Sequence, residues 1–169
     1  SAAVLGAKLA APEKIVITLI GDGGFGTNPS VLATAVEQNI PVVWVVMNNS
    51  AFGTIAGLEK ANCGTQFGTL FTTPDGQSYS PDWAVIARGY GVKAIRVEQA
   101  DDFAPALRKA LKSGEPYLID VPMENIPVPT PGCWNINDIY RPNELVREGK
   151  LVKKADGKYI APVHGASHK

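Results

Sequence analysis

Short apolar runs alternate with helix-like segments over residues 1–121 of the chain. Four runs rich in β-branched residues end at a polar residue, a glycine or a proline, as buried parallel strands do. They are Ile15–Ile20, Val42–Met47, Val92–Val97 and Tyr117–Val121. The segments before and between them predict helices over Ser1–Ala11, Asn28–Gln38, Gly53–Lys60, Ser80–Tyr90 and Asp101–Lys112. A long loop rich in Gly, Thr and Pro is predicted over Asn62–Ser80.

Two of the helices carry a start signal in the sequence. Asn28-Pro29 and Ser80-Pro81 each place a capping residue before a proline, whose fixed φ suits the first helical position. Strands and helices alternate with short connections, which predicts the α/β class. The expected architecture is an open, mostly parallel sheet with helices on both faces.

The alternation ends at Pro122, where a proline-rich and then polar segment begins. We therefore predict one domain over residues 1–121 and an irregular C-terminal tail over residues 122–169. Such a tail either packs on the domain or is partly disordered.

The composition and net charge of the chain argue against several classes of function. The chain has 169 residues, of which 45% are hydrophobic, and its 16 basic and 16 acidic residues give no formal net charge. This balance argues against nucleic acid as the main partner, since such binding usually needs a basic excess. The apolar run Ile40–Met47 is far shorter than a membrane span. Two cysteines without a CxxC or Cys/His cluster predict no zinc site and leave a reduced, cytoplasmic compartment as the default.

The segment Gly21-Asp22-Gly23-Gly24-Phe25-Gly26 lies between a predicted strand and a predicted helix. Backbone N–H groups at such a junction can hold a phosphate. The spacing also matches G-x-G-x-x-G, so a Rossmann-type module that binds NAD through Gly21–Gly26 is an alternative. However, Asp22 would repel a diphosphate unless a cation lay between them. Mg²⁺, which prefers one or two carboxylates together with phosphate oxygens, meets that requirement.

A second polar group is expected beside Asp22. Asn48-Asn49 ends the next strand, where the dinucleotide pattern would require an acid, and Asn49 follows Asp22 by 27 residues. That separation accommodates one helix and one strand, so a βαβ crossover would bring the two residues to neighbouring strand ends. The pattern predicts that Asp22 and Asn49 approach one metal ion.

At these residues the sequence resembles a known family. GDGGF, the separation of 27 residues and the pair NN after an apolar strand resemble the thiamin-diphosphate motif. GAKLAAP, LATAVEQNIPVVWVVMNN and SGEPYLIDV are similar to the C-terminal, diphosphate-binding domain of the acetolactate synthase and pyruvate decarboxylase group. The resemblance covers roughly Gly6–Val121 and is more specific for the cofactor than for the reaction.

The resemblance implies a set of site residues. Asp22, the side chain of Asn49 and the backbone carbonyl of Ala51 would bind Mg²⁺. Main-chain N–H groups of Gly23, Gly24 and Phe25 would bind the diphosphate. The full set expected around the cofactor is Gly21, Asp22, Gly23, Gly24, Phe25, Asn49, Ala51, Phe52 and Gly53.

The resemblance also implies that this chain holds only half of an active site. In the family, the carboxylate that activates the cofactor belongs to a separate N-terminal, pyrimidine-binding domain, usually of another subunit. The chain is therefore expected to be a fragment or one subunit of a split enzyme, acting as a homodimer or homotetramer. Whether FAD also binds stays open.

The expected reaction is that of a carboligase, lyase or decarboxylase acting on a 2-oxo acid or a related carbonyl compound. Pyruvate decarboxylases of this pattern have a Glu six positions after the second Asn, where this chain has Ile55. An aliphatic residue there is similar to acetolactate synthases and pyruvate oxidases, although acetolactate synthases usually have a Trp where this chain has Leu58. Ile55 and Leu58 are the candidate residues on the substrate side.

Overall fold

The computed structural model describes residues 1–125, 146–149, 152–153, 155 and 159–160. The chain divides into two units, Ser1–Pro129 and Thr130–Lys169. The first unit contains six helices and four strands among its described residues. They are α1 Ala3–Ala10, β1 Ile17–Gly21, α2 Asp22–Gly26, α3 Val31–Glu37, β2 Val43–Asn48, α4 Gly53–Cys63, α5 Trp83–Gly89, β3 Lys93–Arg96, α6 Ala100–Ser113 and β4 Tyr117–Pro122.

The four strands form one parallel sheet in the order β1-β2-β4-β3. The register pairs Gly21 with Met47 and Asn48 with Pro122. The carboxyl ends of β1, β2 and β4 therefore reach the same edge of the sheet, where ligands of open α/β sheets usually bind. The predicted fold class and the predicted parallel sheet are confirmed.

Strand β2 is buried on both faces, which explains its uninterrupted apolar sequence. Trp44 and Val46 pack on one face with residues of α1, α2, α3 and α5. Val43 and Val45 pack on the other face with Ala106 and other residues of α6. Side chains of a strand alternate between the two faces, so the sheet has helices on both sides as predicted.

The predicted helix starts at Asn28 and Ser80 are wrong by two to three residues. Helix α3 begins at Val31, and no side chain caps it; the Ser30 hydroxyl donates instead to Asn28 Oδ1 at 2.6 Å. Helix α5 begins at Trp83, and Asp82 is its cap, accepting a hydrogen bond from the Val85 N–H at 2.8 Å. A carboxylate is a strong acceptor for the exposed N–H groups of a first helical turn, which favours Asp82 at this position.

The segment expected as a phosphate-binding turn is the short helix α2. None of its glycines has a positive φ, so the segment needs no left-handed residue. Helix α4 is three residues longer than predicted and ends at Cys63, because Gly64 takes the left-handed conformation only after that point (φ 70°). The following loop up to α5 contains only isolated bridges, in agreement with the loop prediction.

In the described part of the second unit, β5 (Val152–Lys153) pairs antiparallel with β6 (Tyr159–Ile160). The predicted tail depends mostly on residues 126–145 and 161–169, which lie outside the described residues, so the domain and tail boundaries stay a prediction. Among the helices of the described residues, none combines the length and the apolar character that crossing a membrane requires.

Candidate functional site

Asp22 and Asn49 lie at the carboxyl ends of two adjacent strands, as their spacing predicts. Asp22 follows the last residue of β1 directly and begins α2, whereas Asn49 follows the last residue of β2. Their terminal side-chain atoms are 3.1 Å apart. Asp22 is only 1% exposed, so the carboxylate points into the protein rather than into solvent.

The Asn49 amide has two orientations with different partners. In one, its nitrogen donates to Asp22 Oδ1 and to the Ala51 carbonyl, both at 3.1 Å. In the other, its nitrogen donates to Asn125 Oδ1 at 3.3 Å, and its oxygen faces those two acceptors. In the second orientation the Asn49 oxygen lies 3.1 Å from two other oxygens with no proton between them. A cation beside these oxygens would make that orientation favourable.

The segment that follows Asn49 is held in a fixed turn. Ser50 adopts a left-handed conformation (φ 56°), which is uncommon for a residue with a side chain. The Ser50 carbonyl accepts from the Phe71 N–H at 2.8 Å, and the Phe52 N–H donates to the Thr69 carbonyl at 2.9 Å. These two bonds leave the Ala51 carbonyl directed at Asn49. Strained backbone of this kind is common where a protein pre-organises a site.

The Asp22 carboxylate is not fully compensated by the protein. Burial raises the pKa of Asp22, although backbone hydrogen bonds from Gly23, Ser50 and Ala51 act in the opposite direction. Within the described part of the chain, Asp22 Oδ2 has no hydrogen-bond partner. A buried carboxylate in this state is stabilised by any cation that reaches it.

Two glycines are required here by close contacts. A Cβ at Gly23 would lie 2.6 Å from the Phe52 ring, which itself packs edge-to-face on Phe71. A Cβ at Gly53 would lie 2.6 Å from Asn49 Nδ2. Side chains at either position would displace the residues that shape the site, so these contacts explain why the sequence has glycine there.

A groove of about 390 Å³ opens beside these residues. It is lined by Gly21, Gly23, Gly24, Met47, Asn49, Ala51, Phe52, Gly53, Thr54, Ile55 and Met123. Of the predicted substrate-side residues, Ile55 lines the groove and is 53% exposed, whereas Leu58 is half-buried and does not line it. Asp22 and Phe25 lie beneath the groove, both buried.

Asn48 has a separate role that the sequence did not reveal. Its Nδ2 donates to Asp120 Oδ1 at 3.0 Å, while Asp120 Oδ2 accepts from Arg96 at 2.7 Å and from the Trp83 N–H at 3.2 Å. Burial raises the pKa of Asp120, and the bonds from Asn48 and Arg96 oppose that rise. This network ties β2, β3, β4 and α5 together directly behind Asn49. The only signal in the sequence was an Asp inside an apolar strand.

Asn125 is a second residue that the sequence analysis missed. The Met123 N–H donates to the Asn48 carbonyl at 2.8 Å, so the chain leaves β4 alongside the end of β2. Two residues later, Asn125 reaches the Asn49 amide. A polar residue just beyond the last strand of the same sheet edge could have pointed to it.

A larger groove, of about 990 Å³, lies elsewhere on the first unit. Its lining includes Lys93 and Tyr117, the first residues of β3 and β4, and several basic residues of α6. It is therefore at the edge of the sheet opposite Asp22 and Asn49, and none of the predicted site residues lines it.

Comparison with known proteins identifies the family. The model of the "Thiamine pyrophosphate enzyme, C-terminal TPP binding domain" matches residues 1–121. The chain belongs to this family. Thiamine pyrophosphate is a synonym of thiamin diphosphate, so membership confirms the resemblance found in the sequence and favours this cofactor over the dinucleotide alternative.

Individual relatives of this TPP-binding domain carry different activities. It is 37% identical over 155 residues to a probable acetolactate synthase large subunit of Methanocaldococcus jannaschii, covering 90% of this chain and 25% of the relative. It is 35% identical over 117 residues to a 3D-(3,5/4)-trihydroxycyclohexane-1,2-dione hydrolase of Shouchella clausii, covering 69% of this chain and 18% of the relative.

A solved structure of a thiamine diphosphate-dependent enzyme is also similar to this chain. The thiamine diphosphate-dependent 4-hydroxybenzoylformate decarboxylase of Rhodococcus jostii RHA1 is 34% identical, with a TM-score of 0.64 over 75% of this chain and 23% of that chain. The TPP-binding domain thus spans about a quarter of the length of such relatives. Synthase, hydrolase and decarboxylase all occur among them, so family membership leaves the reaction open.

Proposed function

We propose that this chain binds thiamin diphosphate through a Mg²⁺ ion held by Asp22, the Asn49 side chain and the Ala51 carbonyl. The observation that carries the proposal is the position of the Asn49 amide, which lies 3.1 Å from both Asp22 Oδ1 and the Ala51 carbonyl oxygen. Among the residues described by the structure, no cluster of three or more His, Cys, Asp or Glu side chains could hold a metal ion. A site built from one carboxylate, one amide and one carbonyl fits Mg²⁺, which binds oxygen and retains non-protein ligands.

The spacing of the oxygens supports this ion. Neighbouring ligands of an octahedral Mg²⁺, each about 2.0–2.1 Å from the metal, lie about 2.9 Å from one another. The observed separations of 3.1 Å are close to that value. Asp22 Oδ2, which has no hydrogen-bond partner among the described residues, adds negative charge that the cation would neutralise.

The diphosphate is assigned to the groove above α2. The main-chain N–H groups of Gly23, Gly24 and Phe25 belong to the first turn of this helix, where such groups lack backbone partners within the helix. The Gly23 N–H also bonds to the Asp22 carboxylate. Gly21, Phe52 and Gly53 complete the cofactor environment in this proposal, and all three lie in or beside the groove. Mg²⁺ between Asp22 and the phosphates removes the repulsion that the bare carboxylate would cause.

We assign the chain to a carboligase, lyase or decarboxylase acting on a 2-oxo acid or related carbonyl compound. The chemistry that thiamin diphosphate supplies when bound is a nucleophilic carbon for attack on the carbonyl and an electron sink for the charge that follows. The residues of this chain would bind and orient the cofactor, and Ile55, Met47 and Met123 give the groove an apolar lining. Ile55 carries no group that can transfer a proton, which favours a synthase-like assignment over a pyruvate decarboxylase-like one.

We further propose that a pyrimidine-binding domain, on the same polypeptide or on a partner subunit, completes the site in a homodimer or homotetramer. The chain corresponds to only about a quarter of its relatives. Apolar side chains are also exposed on β1 and just before it, including Leu19 at 65% and Ile15 at 71%. Apolar surface of this extent commonly marks an interface.

Calorimetric titration of the purified chain with thiamin diphosphate tests the proposal. We expect heat of binding with Mg²⁺, loss of that heat with excess EDTA, and no binding in Asp22→Ala. Asp101→Ala, which removes an exposed carboxylate on α6, is the matched control and should bind normally. Absence of heat with Mg²⁺, or metal-independent binding of NAD, would contradict the proposal.

A further inference from the structure

Asn125 lies where it can control the orientation of the Asn49 amide. The hydrogen bond between the Met123 N–H and the Asn48 carbonyl fixes the path of the chain beyond β4. That path places Asn125 Oδ1 at 3.3 Å from Asn49 Nδ2, and both side chains are half-buried. The contact joins residues 76 positions apart in the sequence, so only the tertiary structure creates it.

The two orientations of Asn49 have different requirements. Without a cation, the amide nitrogen can donate to both Asp22 Oδ1 and the Ala51 carbonyl. With a cation bound, the amide oxygen must face those groups, and the nitrogen then needs an acceptor on the other side. Among the residues that the structure describes, Asn125 Oδ1 is an acceptor on that side of the amide.

We infer that Asn125 is a positioning residue that holds the Asn49 amide oxygen toward the metal. In this role it acts by accepting a hydrogen bond from the Asn49 amide. This inference rests on the proposed function, because it requires that Asn49 binds a cation. A part-buried amide N–H without an acceptor is unfavourable, so loss of Asn125 Oδ1 should weaken metal binding.

Two variants separate the hydrogen bond from simple packing. Asn125→Leu has a similar volume but no acceptor, whereas Asn125→Asp retains an acceptor oxygen at the same place. Affinity for Mg²⁺ is measured by calorimetry at saturating thiamin diphosphate, and affinity for Mn²⁺ by the electron paramagnetic resonance signal of the free ion. Neither readout depends on turnover. Asn62→Leu, which changes an exposed asparagine on α4, is the control.

We expect Asn125→Leu to bind either metal about tenfold more weakly than the wild type. Asn125→Asp should bind at least as tightly as the wild type, and the midpoint of metal-free thermal unfolding should be unchanged in both. If Asn125→Leu matches a wild type that binds metal, or if the Leu and Asp variants are weakened equally, this inference fails while the proposed function stands. If the wild type itself binds no metal with the cofactor, the proposed function fails and the inference fails with it.

Discussion

Replacement of Asp22 by asparagine should separate stability from metal binding. The buried carboxylate has one oxygen without a partner among the described residues, and burial raises its pKa. At neutral pH the metal-free protein must therefore keep a poorly compensated negative charge in its interior. Asp22→Asn removes this charge and keeps the shape of the side chain, so it should stabilise the metal-free protein and abolish Mg²⁺-dependent binding.

The size of the effect follows from the state of the carboxylate. A buried polar group without a partner costs about 1–3 kcal/mol, and a charged one costs more. We expect Asp22→Asn to raise the free energy of unfolding by about 2 kcal/mol at neutral pH, or the midpoint of thermal unfolding by roughly 4–8 °C. Glu37→Gln, the same chemical change at an exposed position of α3, should alter the free energy of unfolding by less than about 0.5 kcal/mol.

The stability difference between Asp22→Asn and the wild type should depend on pH in a definite direction. Because the folded-state pKa of Asp22 is raised, the native state binds the proton more tightly than the unfolded state does. The neutral carboxyl therefore contributes to the stability of the folded state. This contribution is complete below the ordinary pKa of 3.8 and is lost as the pH rises through the raised pKa of the folded state. The stability difference between Asp22→Asn and the wild type should therefore shrink as the pH falls.

Urea denaturation with EDTA present, over a series of pH values from neutral downward, measures this difference directly. Added Mg²⁺ and thiamin diphosphate should stabilise the wild type at neutral pH and leave Asp22→Asn unchanged. A metal-free Asp22→Asn that is less stable than the wild type at neutral pH would refute the idea of an uncompensated carboxylate.

Two further substitutions each have a matched control. Gly53→Ala places a Cβ against Asn49 and should weaken Mg²⁺ binding, measured by calorimetry, at least about tenfold. Its control is Gly57→Ala, which lies in open space on the same helix. The control should bind Mg²⁺ normally and gain about 0.5–1 kcal/mol in the free energy of unfolding. Equal metal affinities would contradict the proposed role of Gly53. Asp120→Ala should lower the free energy of unfolding in urea by about 3 kcal/mol, because it leaves buried donors without an acceptor. Glu98→Ala, which removes the exposed partner of the same arginine, should cost less than about 1 kcal/mol, and equal losses would show that the buried network has no special importance.

Local sequence patterns were sufficient to predict the sheet and helices of the first unit. The run from Val42 to Met47 is apolar at every position, and a strand needs that pattern only when both of its faces are covered. The position of Asp22 and Asn49 also followed from the sequence, since one crossover helix between parallel strands brings their carboxyl ends together. Such features depend on side-chain periodicity and chain connectivity, which a sequence displays directly.

The sequence predicted the helix boundaries less accurately than the fold class. Asn28-Pro29 and Ser80-Pro81 had the composition of helix starts, yet the helices begin at Val31 and Trp83. Competing hydrogen bonds in the folded chain decided the difference, because the hydroxyl of Ser30 bonds to Asn28 and the carboxylate of Asp82 caps α5. Turn and cap residues can form several alternative local bonds, and the surrounding structure selects among them.

The sequence by itself determined the fold class, the two strand ends that meet and the family to which the chain belongs. Only the tertiary structure decided that Asn125 reaches Asn49, that Asp120 is surrounded by three donors, and that Asp22 keeps an oxygen without a partner among the described residues. These facts depend on contacts between residues far apart in the chain and on the exclusion of water from particular atoms. No local pattern of residue types encodes either of these, because both arise only when the sheet and its helices are packed together.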